Sequence, residues 1–325
     1  MQIQKGCVMR YIISLLIATV PAIALAEVPQ VITDIPPVNA LVSQVMGDLG
    51  TPVLLLEQGA DEHDFQLRPS QMAVITNADL VVWIGPELTP WLERALENAK
   101  PGYAALALLD LKATVKRARA EDGESRKAHA AMNDHATEGI NLAQAADEEH
   151  HHDGSDPHAW LDPGNAAIWL DAIATELAKA DAPNATAYRA NADAAKARIA
   201  ALDGELMALL APVKDRPFVT FHDAYGYFVA HYGLTFAGSV AIGDASAPGA
   251  ARLRALQGTM AGGVVCAFPE VQHDAGLLLQ LLDGTTVRAG AAIDPVGSSL
   301  PAGPDAYDTL LRGLAMRLVA CLEQA

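Results

Sequence analysis

The sequence predicts an α/β protein of two similar lobes with mainly parallel sheets, joined by one long, rigid connector helix, with a cleft between the lobes. Three observations carry this. Short β-branched runs alternate with amphipathic helical stretches, the pattern of βαβ units whose helices cover both faces of a sheet. That alternation occurs twice, once on each side of a long helical stretch without internal proline. The length of 325 residues with 51% hydrophobic content is enough to bury two cores.

In chain order, Val31-Ile32-Thr33 reads as a strand, and Pro37 to Leu49 as a helix starting after Asp34. Val53 to Leu56 is the next strand, Ser70 to Thr76 a short helix, and Leu80 to Ile84 a strand. Thr89 to Asn98 is a helix and Tyr103 to Leu108 a fourth strand. From about Ala118 to Asp156 the order fails. This stretch is dense in charged and small residues, carries His129, His135, His150, His151 and His152, and reads as a mobile loop.

Asn165 to Ala180 is helical again, and Asn184 to Leu210 places Ala, Leu and Ile at helical spacing. As one helix that second stretch spans about 40 Å, suited to a rigid connector. The second half repeats the first: strands at Pro217 to Phe221, Leu234 to Val240, Val264 to Phe268 and Val287 to Ile293. Helices follow at Ala224 to His231, Ala250 to Met260, His273 to Leu282 and Tyr307 to Leu322. The chain thus divides into an export signal (1–26), an N-terminal lobe (27–182), a connector (183–213) and a C-terminal lobe (214–325).

With 39 acidic against 22 basic side chains and a net charge of −17, nucleic-acid binding is excluded, because neutralising phosphates needs clustered Lys and Arg. Lys5 and Arg10 precede the apolar run Tyr11 to Val20 and the small-residue triplet Ala24-Leu25-Ala26, a signal peptide cleaved after Ala26. The apolar stretch from Tyr11 to Ala26 has 16 residues, short of the roughly 20 that span a bilayer. Cys7 precedes this run, away from where a lipoprotein cysteine lies, and leaves with the signal. Losing Lys5 and Arg10 takes the charge from −17 to −19. Cys266 and Cys321 then remain in an oxidising compartment, which favours one disulfide over two buried thiols.

Ligands of open α/β sheets bind beyond the carboxyl ends of the strands. His63 lies in the loop after the Val53–Leu56 strand, His222 directly follows Phe221, and Asp294 directly follows Ile293. His158, in Asp156-Pro157-His158-Ala159-Trp160-Leu161-Asp162-Pro163, precedes the first helix of the middle region. Any one of these alone reads as a helix cap or a surface residue. Together, three imidazoles and a carboxylate suit Zn²⁺, which takes N and O ligands tetrahedrally. Their separations of 64 to 95 residues form no short zinc motif.

The segments around Glu62-His63-Asp64 with Arg68-Pro69-Ser70, Asp156 to Pro163, Phe221 to Phe228 and Asp294-Pro295-Val296-Gly297 resemble the zinc-binding proteins of bacterial ABC importers, the ZnuA type within the cluster A-I metal-binding family. The resemblance runs from about Val28 to the carboxyl terminus and keeps the order of all four motifs. It implies His63, His158 and His222 as zinc ligands in the interlobe cleft, with Asp294 as the fourth and Glu62 or a water as the alternative. Manganese and iron members resemble this chain but carry a Glu where His222 stands, and nitrogen there favours zinc. The Cys266–Cys321 pair sits where zinc-specific members resemble one another in carrying a disulfide. The segment bearing His129, His135 and His150 to His152 resembles a sparse form of the family's His-rich loop, an auxiliary metal-gathering site. His231 and His273 match no ligand motif and read as ordinary helix residues, while Trp160, Tyr225, Tyr227 and Phe228 read as packing that keeps the site dry.

What the resemblance implies is a periplasmic, monomeric, non-enzymatic protein. Its transported ligand is Zn²⁺, and its partners are an inner-membrane ABC permease and a periplasmic metallochaperone. A manganese or iron importer component is the nearest alternative. A zinc hydrolase also uses three protein ligands and an open position, but the chain has no H-E-x-x-H and no general base apart from the ligands. A surface adhesin of the same fold lacks its lipobox cysteine here.

Overall fold

The computed structural model describes residues 28–63, 65–97, 102–119, 154–241 and 248–324. The export signal, Asp64, and the loop histidines His129, His135, His150, His151 and His152 lie outside the described residues. Each lobe is built on a four-stranded parallel sheet. The first contains β1 (Val31–Thr33), β2 (Val53–Leu54), β3 (Leu80–Trp83) and β4 (Ala104–Ala107) in the order β2-β1-β3-β4. The second contains β5 (Phe218–Thr220), β6 (Phe236–Ser239), β7 (Cys266–Phe268) and β8 (Arg288–Ala289) in the equivalent order β6-β5-β7-β8. Ile32 pairs with Val53 on one side and Val81 on the other, and Val219 pairs with Gly238 and Ala267.

The helices follow the expected order with sharper ends. α1 (Pro36–Met46) opens on Pro36 and Pro37, where a missing N–H costs nothing because first-turn donors have no intrahelical partner. It stops at Gly47, short of the expected Leu49, and the chain continues as a 3-10 turn, Gly47–Leu49. Gly47 has φ 55°, and a Cβ there would lie 2.7 Å from Asn191 Nδ2, which itself donates to Val45 O at 3.0 Å. Only glycine satisfies both demands. α2 (Pro69–Asn77) and α3 (Pro90–Leu96) complete the first lobe.

α4 (Pro163–Ala180) and the long α5 (Ala185–Leu210) pack against each other, and α5 also packs on α1 and on the last helix, α9 (Ala306–Leu322). α6 (Gly226–Tyr232), α7 (Ala250–Ala261) and α8 (Gly276–Leu282) belong to the second lobe. Asp274 Oδ1 accepts from Gly276 N at 2.8 Å ahead of α8, which leaves His273 in a turn and not in the expected helix. The expected strand from Val287 to Ile293 shortens to β8, and Ile293 returns as an isolated bridge to Glu270. Gly290 lies so close to the Phe268 ring that a side chain would not fit.

One apolar core runs through both lobes, from Val31, Ile35 and Leu41 through Trp169, Tyr188 and Ile199 to Phe218, Phe228 and Leu311. Smaller clusters cover the outer sheet faces, around Val81 and Trp91 in one lobe and Val219 and Leu278 in the other. Separating the lobes would tear a shared core, at about 25 cal/mol per Å² of apolar surface exposed. Cys266 of β7 and Cys321 of α9 form the disulfide, with a Cα separation of 6.3 Å. No helix among the described residues is long and apolar enough to cross a membrane.

Candidate metal centre

In the second sheet the chain leaves β5 toward β6 on one side and places β7 on the other. The carboxyl ends of β5 and β7 therefore flank a topological switch point, where open α/β sheets bind ligands. His222 comes two residues after β5, and Thr220 Oγ1 donates to its carbonyl at 2.7 Å. Glu270 comes two residues after β7, fully buried, and its Oε2 takes His222 Nδ1 at 2.5 Å. Its Oε1 accepts from Tyr225 Oη at 2.9 Å and from His222 N at 3.3 Å. Burial and the Glu270 carboxylate both push the Tyr225 hydroxyl well above its ordinary range, so it stays a donor.

His158 enters from the other side. Asp156 Oδ1 accepts both His158 N at 3.0 Å and His158 Nδ1 at 2.7 Å. The 3-10 turn that follows, Ala159–Leu161, is wholly buried. Trp160 Nε1 donates to Pro295 O at 2.8 Å and Tyr307 Oη to Trp160 O at 2.8 Å, which locks this turn onto the second lobe. His63 comes from the loop after β2, where Asp61 Oδ1 accepts from His63 N at 2.8 Å. Trp91 Nε1 holds the same loop through Glu62 O at 2.9 Å.

These contacts decide which nitrogens are available. With Nδ1 of both His158 and His222 donating to a carboxylate, each Nε2 carries its lone pair into the site. The two Nε2 atoms are 3.4 Å apart. Two lone pairs cannot hydrogen-bond, but two nitrogens about 2.0–2.1 Å from one tetrahedral ion would stand ~3.3–3.4 Å apart. His63 completes the group: its ring centroid is 5.4 Å from that of His158 and 6.3 Å from that of His222. The donor atoms of all three fall within 4.8 Å of one another. Burial holds the His158 imidazole below its ordinary pKa, with Asp156 opposing, so the ring favours the neutral, metal-competent form.

The two candidate carboxylates behave differently. Asp294 is not brought into this group, which departs from the expectation that it closes the site. Its Oδ1 accepts from Gly297 N (2.8 Å), Ser298 N (3.2 Å) and Gln272 Nε2 (2.7 Å), and its Oδ2 from Ser299 N (2.9 Å) and Ser299 Oγ (2.6 Å). Both oxygens are thus committed, to the turn that follows and to Gln272. Glu62 is buried, with Oε1 4.0 Å from His63 Nε2. Burial raises its carboxyl to about 7, against the opposing pull of His63. A cation in the site would restore its charge.

Two histidines that read as ordinary helix residues do more than that. His231 lies between Asp162 (3.1 Å) and Asp203 (2.8 Å). His273 stacks on Phe221 with centroids 4.6 Å apart and approaches Glu270 Oε2 at 3.6 Å. Trp160, Tyr225, Tyr227 and Phe228 are all buried. Sequence reasoning missed Glu270 altogether. The strand-end rule that found His222 applies equally to Glu270 after Phe268, but a glutamate there carries no motif of its own. Asp156 lies two residues before His158, where its support of that ring is not legible in the sequence.

The model of the family described as "Zinc-uptake complex component A periplasmic" matches residues 31–321. The chain is 48% identical over 305 residues to the high-affinity zinc uptake system protein ZnuA of Paracoccus denitrificans, covering 92% of this chain and 93% of that one. It is 35% identical to the protein of the same name from Brucella suis, covering 90% and 92%. Among solved structures it is similar to a metal-free mutant of a periplasmic metal binding protein from Candidatus Liberibacter asiaticus, with TM-score 0.72, 22% identity and coverage of 90% and 99%. It is also similar to a laminin-binding adhesin mutant of Streptococcus agalactiae, at TM-score 0.71, 22% identity and the same coverage. At that identity the two structures speak for the fold alone.

Proposed function

Because the chain belongs to the family of periplasmic zinc-uptake complex components A, we propose that it captures Zn²⁺ between its lobes and delivers it to the permease of an ABC importer. The observation that carries the site is the 3.4 Å approach of His158 Nε2 and His222 Nε2, each with Nδ1 committed to a buried carboxylate. Neutral imidazole nitrogens at tetrahedral spacing suit Zn²⁺ better than the oxygen-preferring manganese. In this reading His63, His158 and His222 are three ligands and Glu62 is the fourth donor, since Asp294 is occupied in its own turn. The shared core and the long α5 favour release by a modest tilt or a loop change over a wide hinge.

Replacing His63, His158 or His222 by Ala tests the site. Structural zinc is worth roughly 10–16 kcal/mol over four ligands, so one donor corresponds to about 2.5–4 kcal/mol, or roughly 10²–10³-fold in affinity. Competition titration against a zinc chelator measures this, and wild-type affinity in any of the three variants removes that residue from the site. The protein works as a carrier and not as an enzyme; ester, peptide or β-lactam turnover above that of free zinc would overturn this. It is exported, cleaved after Ala26, monomeric, and loaded in part from a periplasmic metallochaperone. Amino-terminal sequencing, light scattering and zinc-transfer kinetics check these in turn.

A further inference from the structure

Residues 117–119 and 154–156 form a narrow antiparallel clasp through which the chain leaves and returns. Ala118 bridges Ser155, Arg119 N donates to Gly154 O at 2.8 Å, and Asp156 N donates to Arg117 O at 2.8 Å. On the first lobe's side the clasp is anchored by Asn165, which exchanges hydrogen bonds with Val115 N (2.8 Å) and Val115 O (3.1 Å). On the second lobe's side it rests on the start of α6. The buried Tyr227 hydroxyl accepts from Arg117 N at 2.9 Å and donates to Asp156 O at 2.9 Å. A Cβ on Gly226 would lie 3.1 Å from Asp156 Oδ2 and 3.4 Å from Arg117 Nε, so a larger residue would press the Asp156 carboxylate back by a few tenths of an ångström.

We propose that Asp156 is a positioning residue of the metal centre whose place is set from the opposite lobe by Tyr227 and Gly226, so that the seating of α6 against the clasp governs how firmly His158 holds the ion. The proposal rests on the reading that His158 is a zinc ligand. The chain of contacts is short and continuous. Tyr227 fixes the backbone of Asp156, Asp156 Oδ1 fixes the ring of His158, and His158 Nε2 faces the site. His222, the partner ligand, lies four residues before Gly226, so one stretch of the second lobe carries one ligand and the support of another. A lobe movement that unseats α6 from the clasp would loosen both together. Removing the carboxylate partner of a zinc-bound imidazole costs typically 10–100-fold in metal affinity, because the ring loses both orientation and basicity.

The test compares Asp156→Ala, Asp156→Asn, Tyr227→Phe, Gly226→Ala and His158→Ala in the full chain after chelation. Zinc affinity, zinc dissociation rate and the visible spectrum of the Co²⁺-loaded protein are measured, together with the melting of the metal-free form. Asp156→Ala should weaken zinc about 100-fold and Asp156→Asn about 10-fold, the amide rescuing orientation without charge. Tyr227→Phe keeps the ring and loses only the oxygen. It should release zinc about 10-fold faster with a changed Co²⁺ spectrum, beyond what its melting temperature accounts for. Gly226→Ala should do the same through the opposite contact, and it serves if Tyr227→Phe does not fold. Wild-type affinity and spectrum in the Asp156→Asn and in the Tyr227→Phe or Gly226→Ala variants, alongside lost binding in His158→Ala, overturn the proposal. Retained tight binding in His158→Ala instead overturns the site reading beneath it.

Discussion

Replacing His231 by Gln should cost stability at pH 6 and almost none at pH 9.5. The imidazole stands in α6 with Nδ1 3.1 Å from Asp162 and Nε2 2.8 Å from Asp203. Asp162 precedes α4 and caps it by accepting from Gly164 N at 2.8 Å, and Asp203 belongs to α5. One charge therefore ties three helices. The hydrogen bond to Asp162 raises the His231 pKa to about 9, with burial opposing and Asp203 assisting. In the unfolded chain it titrates near 6.5. A folded pKa above the unfolded value means the stabilisation is complete below about pH 6.5 and is lost as pH rises through about 9. The whole shift corresponds to ~3 kcal/mol, which solvent screening of the part-exposed ring reduces to ~1–2 kcal/mol. Urea unfolding of metal-free wild-type and His231→Gln proteins at several pH values reads this directly. A gap of about 1–2 kcal/mol at pH 6 should close above about pH 9. The same gap at every pH would show that the ring acts through packing, and no gap at pH 6 would mean the paired charges contribute nothing.

Glu62→Ala should weaken zinc more than Asp294→Ala, while Asp294→Ala should lower stability by about 2–4 kcal/mol through the donors it strands; titration and denaturation of both variants check the ranking, and the reverse order makes Asp294 the ligand. Deleting residues 120–153, which bear His129, His135, His150, His151 and His152, should leave the tight site intact and lower the total zinc bound at high metal, as equilibrium dialysis would show. The cut must spare Ser155 and Asp156, which belong to the clasp, so a deletion over the full 118–156 should damage His158 as well. Reducing the Cys266–Cys321 disulfide, whose cysteines are 55 residues apart, should cost roughly 4 kcal/mol of loop-closure stabilisation, measured as a lower melting temperature with zinc affinity little changed.

The fold class, the order of the elements, the cysteine pair and the three histidines that the fold brings together, as candidate ligands, were all legible in the amino-acid order. Those features are written locally or in strong periodic patterns: β-branched runs such as Leu80 to Ile84 can bury both faces, and His222 directly follows such a run. Element ends were less legible, because they turn on contacts between distant residues, as where Asn191 of α5 meets Gly47 or Phe268 meets Gly290. The site's wiring was fixed in three dimensions. Glu270, 48 residues from His222, holds that ring because β5 and β7 lie side by side in the sheet. Asp294 and Glu62 look alike as carboxylates in sequence and both are buried, yet the hydrogen-bond geometry commits one to Gln272 and its own turn and sets the other beside His63. A carboxylate's role depends on which donors reach its oxygens and how much water is excluded, and both are properties of the packed chain.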